Sequence, residues 1–393
     1  MNTQQKDEKY LGRDVPADQL EIVSSDGNYL VDASGKKYID FLMGWCVGNI
    51  GWGNKEIKKR LKSYAGPDYV LPSYLYAPWA QLAELLAKMT PGRLEKSFRA
   101  TGGTEAVEIA MQAAMMHTKR HKFISIEGSY HGHSIGAMSI GMSDFRKWYK
   151  NLLFHCNKIN PPLDEKALVK VEKLLAQKDI AAFVMEPIIC NLGVIIPQKE
   201  FMQKVQKLCK KYGTLFVIDE VATGFGRTGK MFASEYYDLD PDIMCLAKGL
   251  TGGYGGLGVA IMTKEVAKSM EFDFSFYSTF GWHPLSVEAT IANLQYLLKN
   301  EKRILGNAME MERYFKERLD KMSFRHKAEI RIRGLAIGIE FDDANYASEL
   351  VQKCRKSGLL FATLSQRTIT LFPALNIDKK TAKSGLDIFE QCL

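Results

Sequence analysis

The stretch VIDEVATGFGRTG, residues 217–229, combines the features that decide the fold. An apolar run ends in two adjacent carboxylates, Asp219 and Glu220, and a glycine-rich segment follows. Such a run is typical of a strand buried in a parallel sheet, and open α/β sheets bind ligands at the carboxyl ends of their strands. Because side chains of a strand alternate between its faces, the two carboxylates cannot share one task. Taken alone, the pair fits an ordinary strand end better than a binding site, although a protonated ring nitrogen would suit Asp219 as a partner.

A second apolar run leads into LAKGLTGG, residues 246–253, and places Lys248 at the end of the next predicted strand. A lysine in this position can reach solvent along its apolar stem, which is the more frequent case. The alternative is a partly desolvated amine of the kind that forms a Schiff base with a carbonyl group.

Upstream, ATGGTEAVE, residues 100–108, leads directly into a predicted amphipathic helix. Glycines at a helix start let backbone N–H groups approach an anion, and the helix dipole favours a phosphate there. The residues concerned are Gly102, Gly103 and Thr104. The alternative is a plain loop in which Thr104 serves as the helix N-cap.

Around these motifs the hydrophobic pattern predicts buried strands alternating with amphipathic helices, which indicates a large, mostly parallel α/β sheet. The predicted strands are 122–127, 181–186, 214–220, 243–247 and 258–263, and a representative helix is 199–212.

After two long helices, 284–298 and 304–322, the pattern changes to a smaller α+β unit. There, 330–341 and 368–373 are predicted as strands and 346–357 as a helix, and near the N-terminus 29–32 and 37–41 are predicted to form a hairpin. We therefore divide the chain into an N-terminal arm and small-domain segment (1–53), a large α/β domain (54–295) and a C-terminal small α+β domain (296–393).

Composition limits the classes of function. The net charge of +8 arises from 53 basic and 45 acidic side chains that are dispersed along the chain, so a nucleic-acid partner is not expected. The seven cysteines form no CxxC pair, and no apolar run approaches the roughly 18 residues of a membrane helix. His131 and His133 lack a third ligand at metal-site spacing, so no metal is expected. A cytoplasmic protein without a membrane partner is predicted.

In their order and spacing, these motifs together resemble the class III aminotransferases, which are fold-type I pyridoxal-phosphate (PLP) enzymes. The interval from Asp219 to Lys248, 248 − 219 = 29 residues, matches the family's spacing between its pyridine-binding aspartate and its lysine. The resemblance implies a large, mostly parallel α/β domain and a smaller α+β domain made of N- and C-terminal segments. It also implies PLP as cofactor, a small-molecule amine donor, a keto-acid acceptor and a homodimer with shared active sites.

The resemblance further implies roles for individual residues. Lys248 corresponds to the lysine that forms the Schiff base and then carries the substrate proton, and Asp219 to the partner of the pyridinium nitrogen. The other implied cofactor contacts are Gly102, Gly103 and Thr104 at the phosphate, Tyr130 and Val221 on the two ring faces, His131 beside Tyr130, Glu186 near the aspartate, and Ser278 and Thr279 at the phosphate of the neighbouring subunit. Trp45 corresponds to an aromatic residue that lines the substrate pocket, although it could also be a core residue.

The sequence departs from the family at the carboxylate-binding positions. Where many members carry an arginine and a glutamate that neutralises it, this chain has Thr370 and Asn191, unless a shifted register brings Arg367 into place. We therefore expect a primary amine at the end of a chain, as in an ω-amino acid or a diamine, to be the preferred donor. In having Trp45 and Ala222 at these positions, the sequence most resembles the diaminopelargonate aminotransferases, which are one alternative. An isomerase on the same fold is a further alternative.

Overall fold

The structure, a computed structural model, describes residues 1–13, 20–271, 276–365 and 367–393. Within them the strands are β1 Ile22–Asp26, β2 Tyr29–Asp32, β3 Lys37–Asp40, β4 Leu94–Ala100, β5 Lys122–Ile126, β6 Cys156–Ile159, β7 Ile180–Met185, β8 Leu215–Asp219, β9 Ile243–Leu246, β10 Gly258–Thr263, β11 Ala328–Arg333, β12 Ala336–Phe341, β13 Leu359–Leu360, β14 Ala362–Ser365 and β15 Thr368–Leu371.

The α-helices are α1 Thr3–Tyr10, α2 Met43–Cys46, α3 Lys55–Lys62, α4 Ala77–Met89, α5 Gly103–Thr118, α6 Ile135–Ile140, α7 Phe145–Trp148, α8 Glu165–Leu175, α9 Lys199–Tyr212, α10 Lys264–Ala267, α11 Pro284–Lys299, α12 Glu301–Leu319, α13 Tyr346–Lys356 and α14 Lys379–Gln391, with short 3-10 helices at Cys190–Leu192, Ala233–Tyr237 and Lys248–Leu250. None of these helices is both long enough and apolar enough to span a lipid bilayer.

Seven strands form the central sheet, in the order β4-β10-β9-β8-β7-β5-β6. The strands β9, β8, β7, β5 and β6 pair in parallel, whereas β10 is antiparallel to both of its neighbours. The prediction of a mostly parallel sheet is thus confirmed. A single reversed strand near one edge is common in α/β sheets and leaves the carboxyl ends of the parallel strands along one side.

Both faces of the central sheet are covered by helices, as alternation along β8 illustrates. Leu215 and Val217 pack into the apolar cluster formed with α5, whereas Phe216 and Ile218 pack into the cluster formed with α8 and α9. The next two side chains continue this alternation. Asp219 therefore lies on the α5 side of the sheet and Glu220 on the other.

Two four-stranded sheets lie outside the central one, with orders β1-β2-β3-β13 and β11-β12-β15-β14. The predicted hairpin is confirmed as β2 and β3, and β13 from the C-terminal part joins that sheet in parallel to β3. The predicted domain boundaries at residues 53 and 295 stay a prediction. Of the predicted polar arm, residues 14–19 lie outside the described part of the chain.

The predicted strand 330–341 is wrong as one element, because it is a hairpin of β11 and β12. The chain turns at Gly334, whose φ is +56° and where a Cβ atom would lie 2.3 Å from the carbonyl carbon of Thr228. Only glycine adopts this left-handed conformation without strain in so close an approach. The sequence pattern also missed β4 and β6, because neither has an uninterrupted buried run. In β4 only the two end residues are buried, and in β6 only the last one is.

Candidate active site

A cavity of about 230 Å³ lies at the carboxyl ends of the parallel strands. Its lining includes the last residue of β8, residues that come after β5, β7, β8 and β9, and the start of α5. Among the predicted site residues, nine line this cavity, namely Trp45, Gly103, Thr104, Tyr130, His131, Glu186, Asp219, Val221 and Lys248. The structure therefore brings most of the predicted site together.

Asp219 is buried and held by two hydrogen bonds. One of its oxygens, Oδ2, lies 2.7 Å from Nδ1 of His131, and the other accepts a hydrogen bond from the backbone N–H of Val221 at 3.0 Å. The His131 side chain is fully buried, and its Nε2 has no hydrogen-bond partner. The carboxylate is consequently fixed in orientation at the cavity floor.

Glu220 has a separate, structural task on the opposite side of β8. It is fully buried and accepts hydrogen bonds from the backbone N–H groups of Ala233 and Ser234 and from the hydroxyl of Thr223. These contacts satisfy the start of the 3-10 helix Ala233–Tyr237. The two adjacent carboxylates thus lie on opposite sides of β8 and have separate partners, as the alternation of strand side chains predicts.

Glu186 follows β7 and lines the cavity with one oxygen unpaired. Its Oε2 accepts a hydrogen bond from the backbone N–H of Cys190 at 3.2 Å, whereas Oε1 is buried without a partner. Burial, and secondarily the charge of Asp219, raises the pKa of Glu186 to about 8, against a smaller opposing effect of Lys248. The side chain is therefore protonated at neutral pH and can donate a hydrogen bond.

Lys248 follows β9 and is half-buried. Its backbone has a φ of +49°, a left-handed conformation that is costly for a side chain with a Cβ atom. In the described residues, no side chain or carbonyl group forms a hydrogen bond or ion pair with its amine. Strain of this kind is concentrated at functional sites, where the surrounding structure enforces it.

The start of α5 is shaped to accept an anion. Gly102, not Thr104, is the N-cap, and no side chain caps this helix, so the alternative of a Thr104 N-cap is wrong. A Cβ atom on Gly103 would lie 2.9 Å from Cγ1 of Val221, and one on Gly132 would lie 2.6 Å from Oγ1 of Thr104. These glycines let the backbone approach closely while the first N–H groups of the helix remain free.

Part of the cavity lining is mainly apolar. We call this set of side chains the substrate wall: Trp45, Tyr130, Asn191, Leu364 and Phe372. The rings of Trp45 and Phe372 are 6.4 Å apart. Pattern analysis missed Leu364, Phe372 and the two thiols Cys46 and Cys190, because nothing in their local sequence distinguishes them from core residues.

Trp45 stands on a strained turn. All four residues of α2, Met43–Cys46, have positive φ values between 48° and 67°, so this short element is left-handed. Three of them carry side chains, for which such a conformation costs roughly 1–3 kcal/mol each. One support is Asp40, whose Oδ1 accepts hydrogen bonds from the backbone N–H groups of Leu42 and Met43.

Other residues named from the sequence lie elsewhere. Thr370 is buried in β15 with its hydroxyl unpaired and does not line the cavity, and Arg367 is exposed in the turn before β15, so the shifted register is wrong. Gly102 does not line the cavity but directly precedes Gly103, which does. Ser278 lines a separate surface pocket with Arg99, and Thr279 is exposed, so neither contacts the cavity of its own chain.

No cluster of three or more His, Cys, Asp or Glu side chains that could hold a metal ion occurs in the part of the chain that the structure describes. Among the residues that the structure describes, Lys248 is the only lysine or arginine that lines the cavity. The site thus combines one free amine, one oriented carboxylate, one protonated carboxyl group and one open helix N-terminus.

A family model described as aminotransferase class-III matches residues 11–393. The chain belongs to the class III aminotransferase family. Among curated relatives, this class III aminotransferase is 31% identical to an adenosylmethionine-8-amino-7-oxononanoate aminotransferase of Staphylococcus aureus, over 99% of this chain and 96% of the relative. It is also 31% identical to an acetylornithine aminotransferase of Archaeoglobus fulgidus, over 98% of each chain.

Solved structures agree with this assignment. The crystal structure of adenosylmethionine-8-amino-7-oxononanoate aminotransferase from Methanocaldococcus jannaschii superposes with a TM-score of 0.91 at 30% identity, covering 99% of this chain and 98% of that chain. The protein is accordingly a PLP-dependent aminotransferase of fold type I. Its cavity fits the cofactor, because the open α5 terminus suits a phosphate, the buried Asp219 suits a protonated ring nitrogen, and the Lys248 amine is free.

Proposed function

We propose that this class III aminotransferase moves an amino group from a primary amine at the end of a chain to a keto-acid acceptor. The observation that carries the proposal is the substrate wall, which is apolar or neutral and contains no arginine. An arginine binds a carboxylate through two parallel hydrogen bonds, and no side chain of the substrate wall can copy that geometry. Substrates that present a carboxylate beside the reacting carbon are therefore disfavoured.

The cavity residues would hold the cofactor in the following way. The N–H groups at Gly102, Gly103 and Thr104 would bind the phosphate, and Tyr130 and Val221 would enclose the ring. Bound PLP supplies an aldehyde carbon that takes up the amino group and a ring that withdraws electrons from the substrate. Lys248 would hold the cofactor covalently through Nζ, since this amine has no competing partner in the cavity.

The protein's own groups then control the protons. His131 and the Val221 N–H orient Asp219, which would keep the ring nitrogen protonated by placing a negative charge beside it. Lys248, once released by the incoming amine, would act as the general base: its Nζ would remove the proton from the substrate carbon and deliver it to the C4′ carbon of the cofactor. Glu186 would donate a hydrogen bond from its protonated Oε1, which is otherwise unpaired.

Two features support a longer or partly apolar amine donor. Trp45 presents an apolar ring with one N–H donor at the cavity mouth, and Phe372 extends this surface. Asn191 is neutral and its amide is already engaged with the carbonyl of Gly128 at 3.0 Å. None of these three side chains offers a positive charge to an acidic group near the reacting amine.

A second candidate activity is of the 8-amino-7-oxononanoate type, in which an amino ketone accepts the amino group. Ala222 lines the cavity beside Trp45, and two of the relatives with 30–31% identity carry that name. Aminotransferases of this type carry a carboxylate-binding arginine near the position of Thr363, where this chain has none, so we place this activity second.

The decisive experiment compares specificity constants for paired donors, with putrescine and 4-aminobutyrate on one side and alanine and aspartate on the other. Terminal amines should be preferred by tenfold or more, equivalent to about 1.4 kcal/mol of transition-state stabilisation. A tenfold preference for the α-amino acids contradicts the proposal. Turnover with a single substrate and no acceptor would instead indicate an isomerase.

We also propose that the enzyme is a cytoplasmic homodimer with shared active sites, in which Ser278 and Thr279 reach the phosphate site of the neighbouring subunit. An exposed apolar patch supports this assembly: Tyr69 and Phe280 pack ring to ring while remaining partly exposed, and Tyr74, Leu75 and Tyr277 lie on the same two segments. Contiguous apolar patches of this kind mark interaction surfaces. All seven cysteines are free thiols, which suits a reducing compartment.

A further inference from the structure

Arg227 is a buried cation behind the substrate wall, with no contact to the cavity itself. Its side chain is fully buried, and no carboxylate pairs with it in the described part of the chain. Its partners are neutral oxygens. Nη1 donates to the carbonyl groups of Leu335 and Pro373, at 2.9 and 2.5 Å, and Nη2 donates to Oδ1 of Asn49 at 2.7 Å.

Such an arrangement is energetically expensive. Removing a guanidinium group from water costs several kcal/mol, and an opposite charge usually compensates for it. Here desolvation lowers the pKa of Arg227, and its Nε is buried without a partner. A buried charge that binds only neutral oxygens is therefore a costly way to stabilise a core, which indicates that the geometry of its hydrogen bonds has a use.

Two of the three acceptors, Asn49 and Pro373, lie on segments that carry the substrate wall. Asn49 is four residues after Trp45, and Pro373 directly follows Phe372. The guanidinium carbon also lies 6.0 Å from the centre of the Phe372 ring. Arg227 is consequently bonded to both sides of the contact between Trp45 and Phe372.

A second observation explains why the wall needs such a support. The left-handed run Met43–Cys46 would relax unless the structure held it from both ends. Asp40 holds the beginning of this turn, as described above. After the turn, Asn49 bonds to Arg227 and also donates to the carbonyl groups of Gly224 and Phe225.

We propose that Arg227 is the positioning residue of the substrate wall: it fixes the Trp45 turn against Phe372 and so sets which amine donors fit. The inference rests on the proposed function only in taking Trp45 and Phe372 as the substrate wall. The planar guanidinium group of Arg227 is essential, because it donates hydrogen bonds to three acceptors in fixed directions. A lysine ammonium, by contrast, is a compact point charge.

The test compares Arg227→Lys and Arg227→Met with a matched control, Arg120→Lys. Arg120 also binds three backbone carbonyl groups, those of Ile180, Tyr212 and Gly213, but it does not line the cavity. Each variant is measured as holoenzyme for KM and kcat with putrescine or 4-aminobutyrate. Amide hydrogen exchange of residues 43–53 and 372–376 is measured in parallel, because it reports local opening without requiring turnover.

Arg227→Lys should raise KM for the amine donor on the order of tenfold with kcat within about threefold, and should speed exchange in both segments. Arg120→Lys should lower the melting temperature while leaving KM and the exchange of these segments unchanged. If Arg227→Lys keeps the KM and the exchange rates of the wild type, the proposal is overturned, because a positive charge alone would then suffice to hold the substrate wall. This outcome is decisive whether or not Arg227→Met folds.

Failure of the proposed function is distinguishable from failure of this inference. If wild-type enzyme does not use terminal amines, the proposed function fails, but the exchange of residues 43–53 still decides whether Arg227 holds the Trp45 turn. Faster exchange confined to the two segments supports the inference, and equal exchange in wild type and Arg227→Lys refutes it.

Discussion

Replacing Glu186 by glutamine should change how the stability of the cofactor-free enzyme depends on pH. Glu186 is buried at the cavity floor, and its Oε1 has no hydrogen-bond partner. Burial, reinforced by the charge of Asp219, raises its pKa to about 8 from the ordinary 4.5. The folded protein therefore keeps a proton on this group in a pH range where the unfolded chain has lost it.

The sign follows from proton linkage. Between about pH 4.5 and pH 8 the folded state binds one more proton than the unfolded state, so the free energy of unfolding falls as the pH rises. The contribution is fully present below the unfolded pKa and is lost as the pH rises to the folded value near 8. At about 1.4 kcal/mol per pKa unit, the loss from pH 5 to pH 7 is about 2.5 kcal/mol.

The contribution of Glu186 to the free energy of unfolding can be measured by denaturant unfolding. The cofactor-free wild type and Glu186→Gln are compared at pH 5 and pH 7, at equal protein concentration. From pH 5 to pH 7, the free energy of unfolding of Glu186→Gln should rise by about 2.5 kcal/mol relative to that of the wild type. Glu172→Gln is the control, because hydrogen bonds from Lys211 and Tyr212 lower the pKa of that carboxyl and leave it ionised throughout. A wild-type-to-Glu186→Gln difference that is constant within about 0.5 kcal/mol would refute the reasoning.

Three further predictions concern the active site. Borohydride reduction and peptide mapping of the holoenzyme should label Lys248, and Lys248→Ala should lose roughly three or more orders of magnitude in turnover because the anchor and the proton carrier are lost together; label on another lysine contradicts the assignment. Mixing Lys248→Ala subunits with impaired Thr279→Ala subunits should regenerate activity if the sites are shared, whereas a monomer that is fully active at nanomolar concentration excludes shared sites. Trp45→Ala should raise KM for longer amine donors about tenfold with little change in kcat, and an unchanged KM would remove Trp45 from the substrate wall.

The elements that sequence pattern predicted well are those with a local physical cause. Helix α9 has the predicted bounds, since Phe201 and Val205 recur at helical spacing and Gly213, with a φ of +64°, ends the helix. The buried strand before Asp219 was equally recognisable from its apolar run. The reversed orientation of β10 was not recognisable from the sequence, because the direction of a strand depends on its pairing with distant segments.

Errors arose where a local pattern had two solutions. Residues 330–341 carry apolar strand-forming residues on both sides of Gly334, and the antiparallel pairing of β11 with β12 shows that the chain turns there. The placement of Thr370 depended on the register of β15, and a shift of one residue would reverse which side chains are buried. Sequence pattern cannot choose between such registers, because both satisfy the same alternation.

By itself the sequence indicated that Asp219 and Lys248 lie at the ends of two successive buried strands, and that a glycine-rich segment leads into α5. These features depend on short runs of residues whose strand and helix periodicities act locally. Only the tertiary structure decided what surrounds them. Trp45, Leu364 and Phe372 meet in one wall, and Arg227 bridges to Asn49 and Pro373, because packing joins segments more than 100 residues apart whose contacts no local pattern encodes.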